Sequence, residues 1–208
     1  ANRYSSMAIY FVHPRVHSEY SLVAGLVRIN PLTEAVARSG MPAVGLTDHV
    51  NLFGMVKFYK AAMAAGVKPI IGVDAWLQNP ADVNKPFRLT LLVQNQTGYR
   101  NLTRLVSRAY LEGQYLGEPR LQREWVEEAG TGLILLSGGR EGDVGQALLA
   151  GHEDLAGQLV RRWRQLFADR YYLELVRTAR PQEEACLHLS VDLAARFDIP
   201  VVATNDVR

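Results

Sequence analysis

Two histidines and three aspartates fall at or near the ends of short apolar runs. His17 closes the run Phe11–His17 and is followed by Ser18-Glu19-Tyr20-Ser21. Asp48-His49 follow Ala43–Thr47, Asp74 lies in the C-terminal half of Pro69–Leu77, and Asn205-Asp206 follow Pro200–Thr204. Imidazole nitrogens and carboxylate oxygens together form the donor set of a hard or borderline divalent cation. An ion held that way could polarise a phosphate and activate water. Each residue alone has a plainer reading: Thr47-Asp48-His49 as a cap or turn, His17 as a core-edge histidine, Asp74 as a turn residue. The weight rests on four runs carrying ligand-type residues at the same end.

For those residues to meet, the runs must be neighbouring strands that point the same way. The candidate strands are Phe11–His17, Ala43–Thr47, Pro69–Leu77, Leu89–Val93, Gly132–Ser137, Tyr171–Val176 and Pro200–Thr204. Several are apolar on both faces, as in Ile70-Ile71-Gly72-Val73 and Leu133-Ile134-Leu135-Leu136, which predicts burial on both sides under helices. Helices are predicted from Asn30-Pro31 to Ser39-Gly40, over Leu52–Ala65 closed by Gly66, and over Gly98–Tyr110, Asp154–Phe167 and Glu183–Phe197. Alternation of this kind makes an α/β fold, with βα units around a parallel sheet or barrel. Such a fold carries its site at the C-terminal strand ends, and about seven units fit the length, fewer than a complete eightfold barrel has. Gln78–Lys85 and Gln114–Leu121 read as loop-like interruptions.

Composition narrows the function classes. Of 208 residues, 48% are hydrophobic and 21% charged, which excludes a disordered chain. The net charge of +2 and the lack of a basic tract give no nucleic-acid signature. The single Cys186 excludes an internal disulfide or a multi-thiolate zinc site and favours a reducing, cytoplasmic setting. No apolar run approaches a membrane span. The first six residues carry no signal core, and Met7 is expected to be the native start, with residues 1–6 a cloning remnant. His152, His188 and the Arg161-Arg162-Trp163-Arg164 cluster read as surface, and Trp76, Trp125 and Trp163 as packing residues.

Four stretches carry a family resemblance: Val12-His13-Pro14-Arg15-Val16-His17-Ser18-Glu19-Tyr20-Ser21; Leu46-Thr47-Asp48-His49; Gly66-Val67-Lys68-Pro69-Ile70-Ile71-Gly72-Val73-Asp74; and Ala203-Thr204-Asn205-Asp206-Val207-Arg208. They resemble, in order, the motifs of the polymerase and histidinol phosphatase (PHP) domain. Asn51-Leu52-Phe53-Gly54, Gly98-Tyr99-Arg100-Asn101-Leu102 and Tyr172-Leu173-Glu174-Leu175 are similar to the branch found at the N-terminus of bacterial replicative DNA polymerase III alpha subunits. The resemblance implies one domain over residues 7–208, a distorted parallel (βα) barrel, cut from a larger nucleotidyltransferase just after its last strand. It also implies a cluster of about three metal ions on nine ligand positions in active members, which hydrolyse phosphoesters.

Matched residue by residue, His17, His49, Asp74 and Asp206 stand at ligand positions, Asp74 where Glu is usual. Five positions depart: Arg15, Ala24, Arg88, Gly139 and Arg208. Arginine has no lone pair to offer and stays charged, so it repels a metal ion. The expectation is therefore no catalytic residue and no cofactor, with guanidinium groups of Arg15 and Arg208 pairing with Asp74, Asp206 or Asp48 in place of metal. Arg208 would be worth roughly 3–5 kcal/mol if that pair is buried. The resemblance implies a scaffold that docks the proofreading exonuclease (epsilon) subunit and the remaining polymerase domains, meeting DNA only through the holoenzyme. Two alternatives stand beside it: a metal-dependent phosphoesterase or 3′–5′ exonuclease with one weakly held Zn, Mn or Mg, and a phosphate or pyrophosphate site among the arginines.

Overall fold

The computed structural model describes residues 11–21 and 25–208. Residues 1–6, Met7 and Ala24 therefore lie outside the described residues. The elements run α1 (Ile29–Arg38), β1 (Ala43–His49), α2 (Met55–Ala64), β2 (Lys68–Leu77), β3 (Phe87–Val93), α3 (Gln96–Glu112), β4 (Gln114–Tyr115), β5 (Glu118–Leu121), α4 (Arg123–Glu128), β6 (Leu133–Leu136), α5 (Asp143–Leu149), α6 (Glu153–Phe167), β7 (Tyr171–Val176), α7 (Glu183–Phe197) and β8 (Val201–Thr204).

Local chemistry accounts for the main boundaries. Pro31 sits in the first turn of α1, where its missing N–H costs nothing, and Ile29, Thr33 and Val36 form the buried face at i, i+4 and i+7. The Asn95 side chain accepts from the Gly98 N–H and caps α3. Gly66 follows α2 at φ +71°, a left-handed position where glycine is unstrained.

The sheet is mixed. β1 pairs with β2, β6 with β7 and β7 with β8, all in parallel. β3 runs against both neighbours, β2 and β6. The parallel expectation thus holds around this strand but not for it. Only Gln78–Pro86 links β2 to β3, too short for the crossover a parallel neighbour requires.

The segment expected as a first strand, Phe11–His17, is an extended stretch with isolated bridges only. Pro14 has no N–H to give to a ladder. Even so, the segment completes the ring. The Gly45 N–H donates to His13 O at 2.7 Å, the Thr47 N–H to Val16 O at 2.9 Å, and the His17 N–H to Val207 O at 2.9 Å. Those bonds join β1 to the stretch after β8 and close a distorted barrel.

Gln114–Leu121, expected as a loop, is the β4–β5 hairpin. Its tip residues Leu116 and Gly117 have φ of +51° and +82°, the signs of a type I′ turn. β5 then extends the sheet at the far end of β2, Trp76 facing Arg120 and Leu77 facing Leu121.

Strand alternation separates an apolar face from a polar interior. Val73, Ala75 and Leu77 of β2, with Leu89 and Leu91 of β3, are buried in the main core beside residues of α3, α5 and α6. Asp74 pairs with Thr90 and Trp76 with Arg88, so these four share the opposite face. A second core seats α1 and α2 on β1 through Ile29, Val36, Val44, Leu46, Phe58 and Ala62.

Candidate functional site

The polar face converges on one wholly buried carboxylate. Asp74 Oδ2 accepts from Arg15 Nε at 3.2 Å and Arg88 Nε at 2.8 Å, with Arg88 Nη2 closer still. His17 Nε2 lies 2.8 Å from the same oxygen, and Thr90 Oγ1 donates to Oδ1 at 3.2 Å. Burial opposes ionisation of Asp74, but the guanidiniums of Arg15 and Arg88 hold its carboxyl well below the usual carboxylate range. An ionised Asp74 can only accept, so His17 presents its proton at Nε2, and its buried Nδ1 has no partner. The 3.3 Å approach of Arg88 Nη2 to His17 Nε2 is then a contact between two donors.

Arg15 is the hub. Its Nε reaches Asp74, its Nη1 donates to Glu174 Oε1 at 2.9 Å, and its Nη2 to Asp206 Oδ1 at 3.1 Å. One guanidinium thus ties β2, β7 and the stretch after β8 to the N-terminal segment. Glu174 also takes the Thr204 hydroxyl at 2.5 Å and is 2% exposed. Arg88 Nη1 donates to Glu141 at 2.8 Å. Burial lowers the proton affinity of Arg15 and Arg88, yet the surrounding carboxylates raise it above its ordinary value.

At the rim, Arg180 and Arg208 lie 2.7 and 2.8 Å from Asp206 Oδ2. Burial again opposes ionisation, and Arg15, Arg208, Arg88 and Arg180 together hold Asp206 at a pKa of about 2. The ion pairs join Arg15, Arg88, Arg180 and Arg208 to Asp74, Glu141, Glu174 and Asp206, and Arg140 lies 3.7 Å from Glu141 as a fifth arginine.

The structure brings together His17, Asp74, Asp206, Arg15, Arg88 and Arg208 from the sequence expectation. His49 lies across from Asp74 in the β1–β2 register but makes no hydrogen bond to it; its ring meets Trp76 edge-on at 5.7 Å. Burial pushes the His49 imidazole below its ordinary value, with Asp74 pulling the other way. Gly139 sits at φ +57° beside Val176 and Glu174.

Arg15 pairs with Asp74 and Asp206, and Arg208 with Asp206, as expected, but two details differ. Among the described residues Asp48 meets no arginine: it accepts from Ser18 N at 2.6 Å, Ser18 Oγ at 2.8 Å and Ser21 Oγ at 2.7 Å, and so pins the turn after His17. Arg208 is 37% exposed, so the buried guanidiniums are Arg15 and Arg88 instead. Glu174, Glu141 and Arg180 were missed. The family-like Tyr172-Leu173-Glu174-Leu175 held the one usable signal, a carboxylate in an apolar strand.

The donor set does not fit a metal cluster. Oxygens that could ligate are occupied by guanidinium nitrogens, which carry positive charge into the space an ion needs. Among the described residues, no group of three or more His, Cys, Asp or Glu is arranged to hold a metal ion.

A family model described as the PHP domain matches residues 13–178. The chain belongs to the PHP domain family. Its metal site is degenerate. As a PHP domain it is 52% identical over 202 residues to DNA polymerase III subunit alpha of Pseudomonas aeruginosa, covering 97% of this chain and 17% of that protein. Identity to the same subunit of Escherichia coli K12 is 50% over 198 residues, 95% of this chain and 17% of that one. The PHP domain described here thus spans about a sixth of those relatives. Its fold matches a Bifidobacterium adolescentis protein named for metal-dependent phosphoesterase activity, at 14% identity, TM-score 0.61, over 95% of this chain and 87% of that one. It also matches a Chromobacterium violaceum amidohydrolase solved with sulfate and no metal, at 13% identity, TM-score 0.61, over 94% and 87%. No helix among the described residues is long and apolar enough to cross a membrane.

Proposed function

We propose that this PHP domain is a catalytically silent, metal-free scaffold of a replicative DNA polymerase, and that it docks the proofreading exonuclease subunit. The observation that supports the reading is the Arg15 guanidinium, bound at once to Asp74, Glu174 and Asp206. A fixed organic cation there joins strand ends as a metal cluster would, but offers no open coordination position for substrate or water. His17, His49, Asp74 and Asp206 are then remnants of the ligand set, and Arg15, Ala24, Arg88, Gly139 and Arg208 its replacements. Polymerisation of nucleotides belongs to the rest of the parent chain.

The pairing of Arg180 and Arg208 with Asp206 also argues against a phosphate site between them. Two assays test the proposal together. Phosphodiesterase activity on single-stranded DNA is measured with added Mn or Zn and with chelator, and the proofreading subunit from the same organism is run with this chain by gel filtration. Co-elution without metal-dependent cleavage is the expected result. Chelator-sensitive cleavage, or a folded chain that fails to co-elute, rejects it.

A further inference from the structure

We infer that the outer face of α2 docks an acidic amphipathic helix of another polypeptide. α2 buries Phe58 and Ala62 against β1. Its other side is also apolar: Phe53, Val56, Tyr59 and Met63 are 66%, 57%, 49% and 55% exposed. Steps of three, three and four place them in one stripe, from the turn before the helix to its last turn. A surface helix normally turns polar residues outward, whereas α2 turns Val56, Tyr59 and Met63 outward beside Lys57 and Lys60. Exposed apolar residues gathered in one stripe and rimmed by charged ones have the make-up of an interaction site.

Charge says what covers it. No Asp or Glu occurs between Val50 and Val73, while Lys57, Lys60 and Lys68 do. Lys57 meets Glu19 at 3.0 Å. Lys60, four residues after Val56 and beside the stripe, meets no carboxylate among the described residues, and neither does Lys68. A helix whose apolar ridge is flanked by Asp or Glu satisfies both features, by the groove-filling mode that amphipathic helices use. A second copy of this chain does not, because twofold pairing of stripe on stripe sets lysine against lysine.

The stripe shares no residue with the carboxylate–guanidinium network, so it does not rest on the metal-free reading of that site. The probes are two peptides of about 16 residues, long enough to form helix, with one leucine ridge and either Glu or Lys flanks. Binding to this chain is followed by fluorescence anisotropy. The Glu-flanked peptide is expected to bind at least about tenfold tighter at low salt, with the gap narrowing at about 0.5 M salt. The pair Tyr59→Glu and Met63→Glu, both at solvent-facing positions, is expected to abolish binding while the melting temperature holds. Lys60→Glu alone reverses the preference between the peptides. Equal binding of the two peptides, binding that survives the double variant, or concentration-dependent dimerisation that the double variant removes overturns the inference.

Discussion

Arg15 and Arg208 both answer to Asp206, yet they belong to different regimes. Arg15 is 2% exposed, and removing it strands three carboxylates whose side chains are all buried with it. Breaking a buried pair leaves an uncompensated charge and costs about 3–5 kcal/mol. Arg15→Ala is therefore expected to lose that much in urea unfolding, or to fail to fold. Arg208, more than a third exposed and one of two arginines on the same oxygen, is expected to lose less than about 1 kcal/mol. Equal losses would contradict this ranking. The acid limb of stability follows from the same residues. Asp74 is depressed and Asp206 is held at about 2, so the unfolded chain binds more protons as pH falls through the ordinary carboxylate value. Their stabilisation is present above about pH 4 and is lost as pH falls, for Asp206 on the way down to about pH 2. Urea titrations at pH 7, 5 and 3 should show the drop, with a smaller acid dependence in Asp206→Asn. A flat profile would mean these carboxylates are not held ionised by the arginines.

Elements deliver those residues, and the N-terminal segment is the least regular of them. Its pairing with β1 passes over Gly45, where an added Cβ would lie 2.0 Å from Pro14 O and 3.0 Å from Pro14 Cα. Those are backbone atoms and cannot swing aside. Gly45→Ala is expected to push the segment off β1, cost about 1–3 kcal/mol, and raise hydrogen exchange at Thr47, whose N–H bonds Val16 O. Unchanged protection at Thr47 would show that the segment is held elsewhere. Some elements were legible in the sequence and some were not, for physical reasons. Tyr171–Val176 and Glu183–Phe197 were read to the residue because apolar period and flanking breakers agree there. The reversal of β3 was missed although its cause, a connection with no room for a helix, stood in Gln78–Lys85. The hairpin was hidden because Leu116 sits at positive φ, where sequence rules expect Gly or Asn.

Over the whole molecule, a barrel that in other sequences could be tied by ions is tied here by guanidinium. That exchange was partly legible: the substitutions at Arg15, Arg88 and Arg208 announced the cation. The acids that neutralise it were not legible, because Glu174 lies mid-strand and Glu141 and Arg180 lie in connections that only the fold brings near Asp74. The two expected carboxylates became four, and Arg180 and Arg140 join the three expected arginines, so carboxylates offset most of the positive charge of the remnant. The most direct test is metal content by mass spectrometry on the purified chain, paired with its melting temperature before and after chelation. Metal well below one equivalent and a melting temperature unmoved by chelator is the predicted result. One or more equivalents of tightly held metal, with a fall in melting temperature on its removal, would contradict the account.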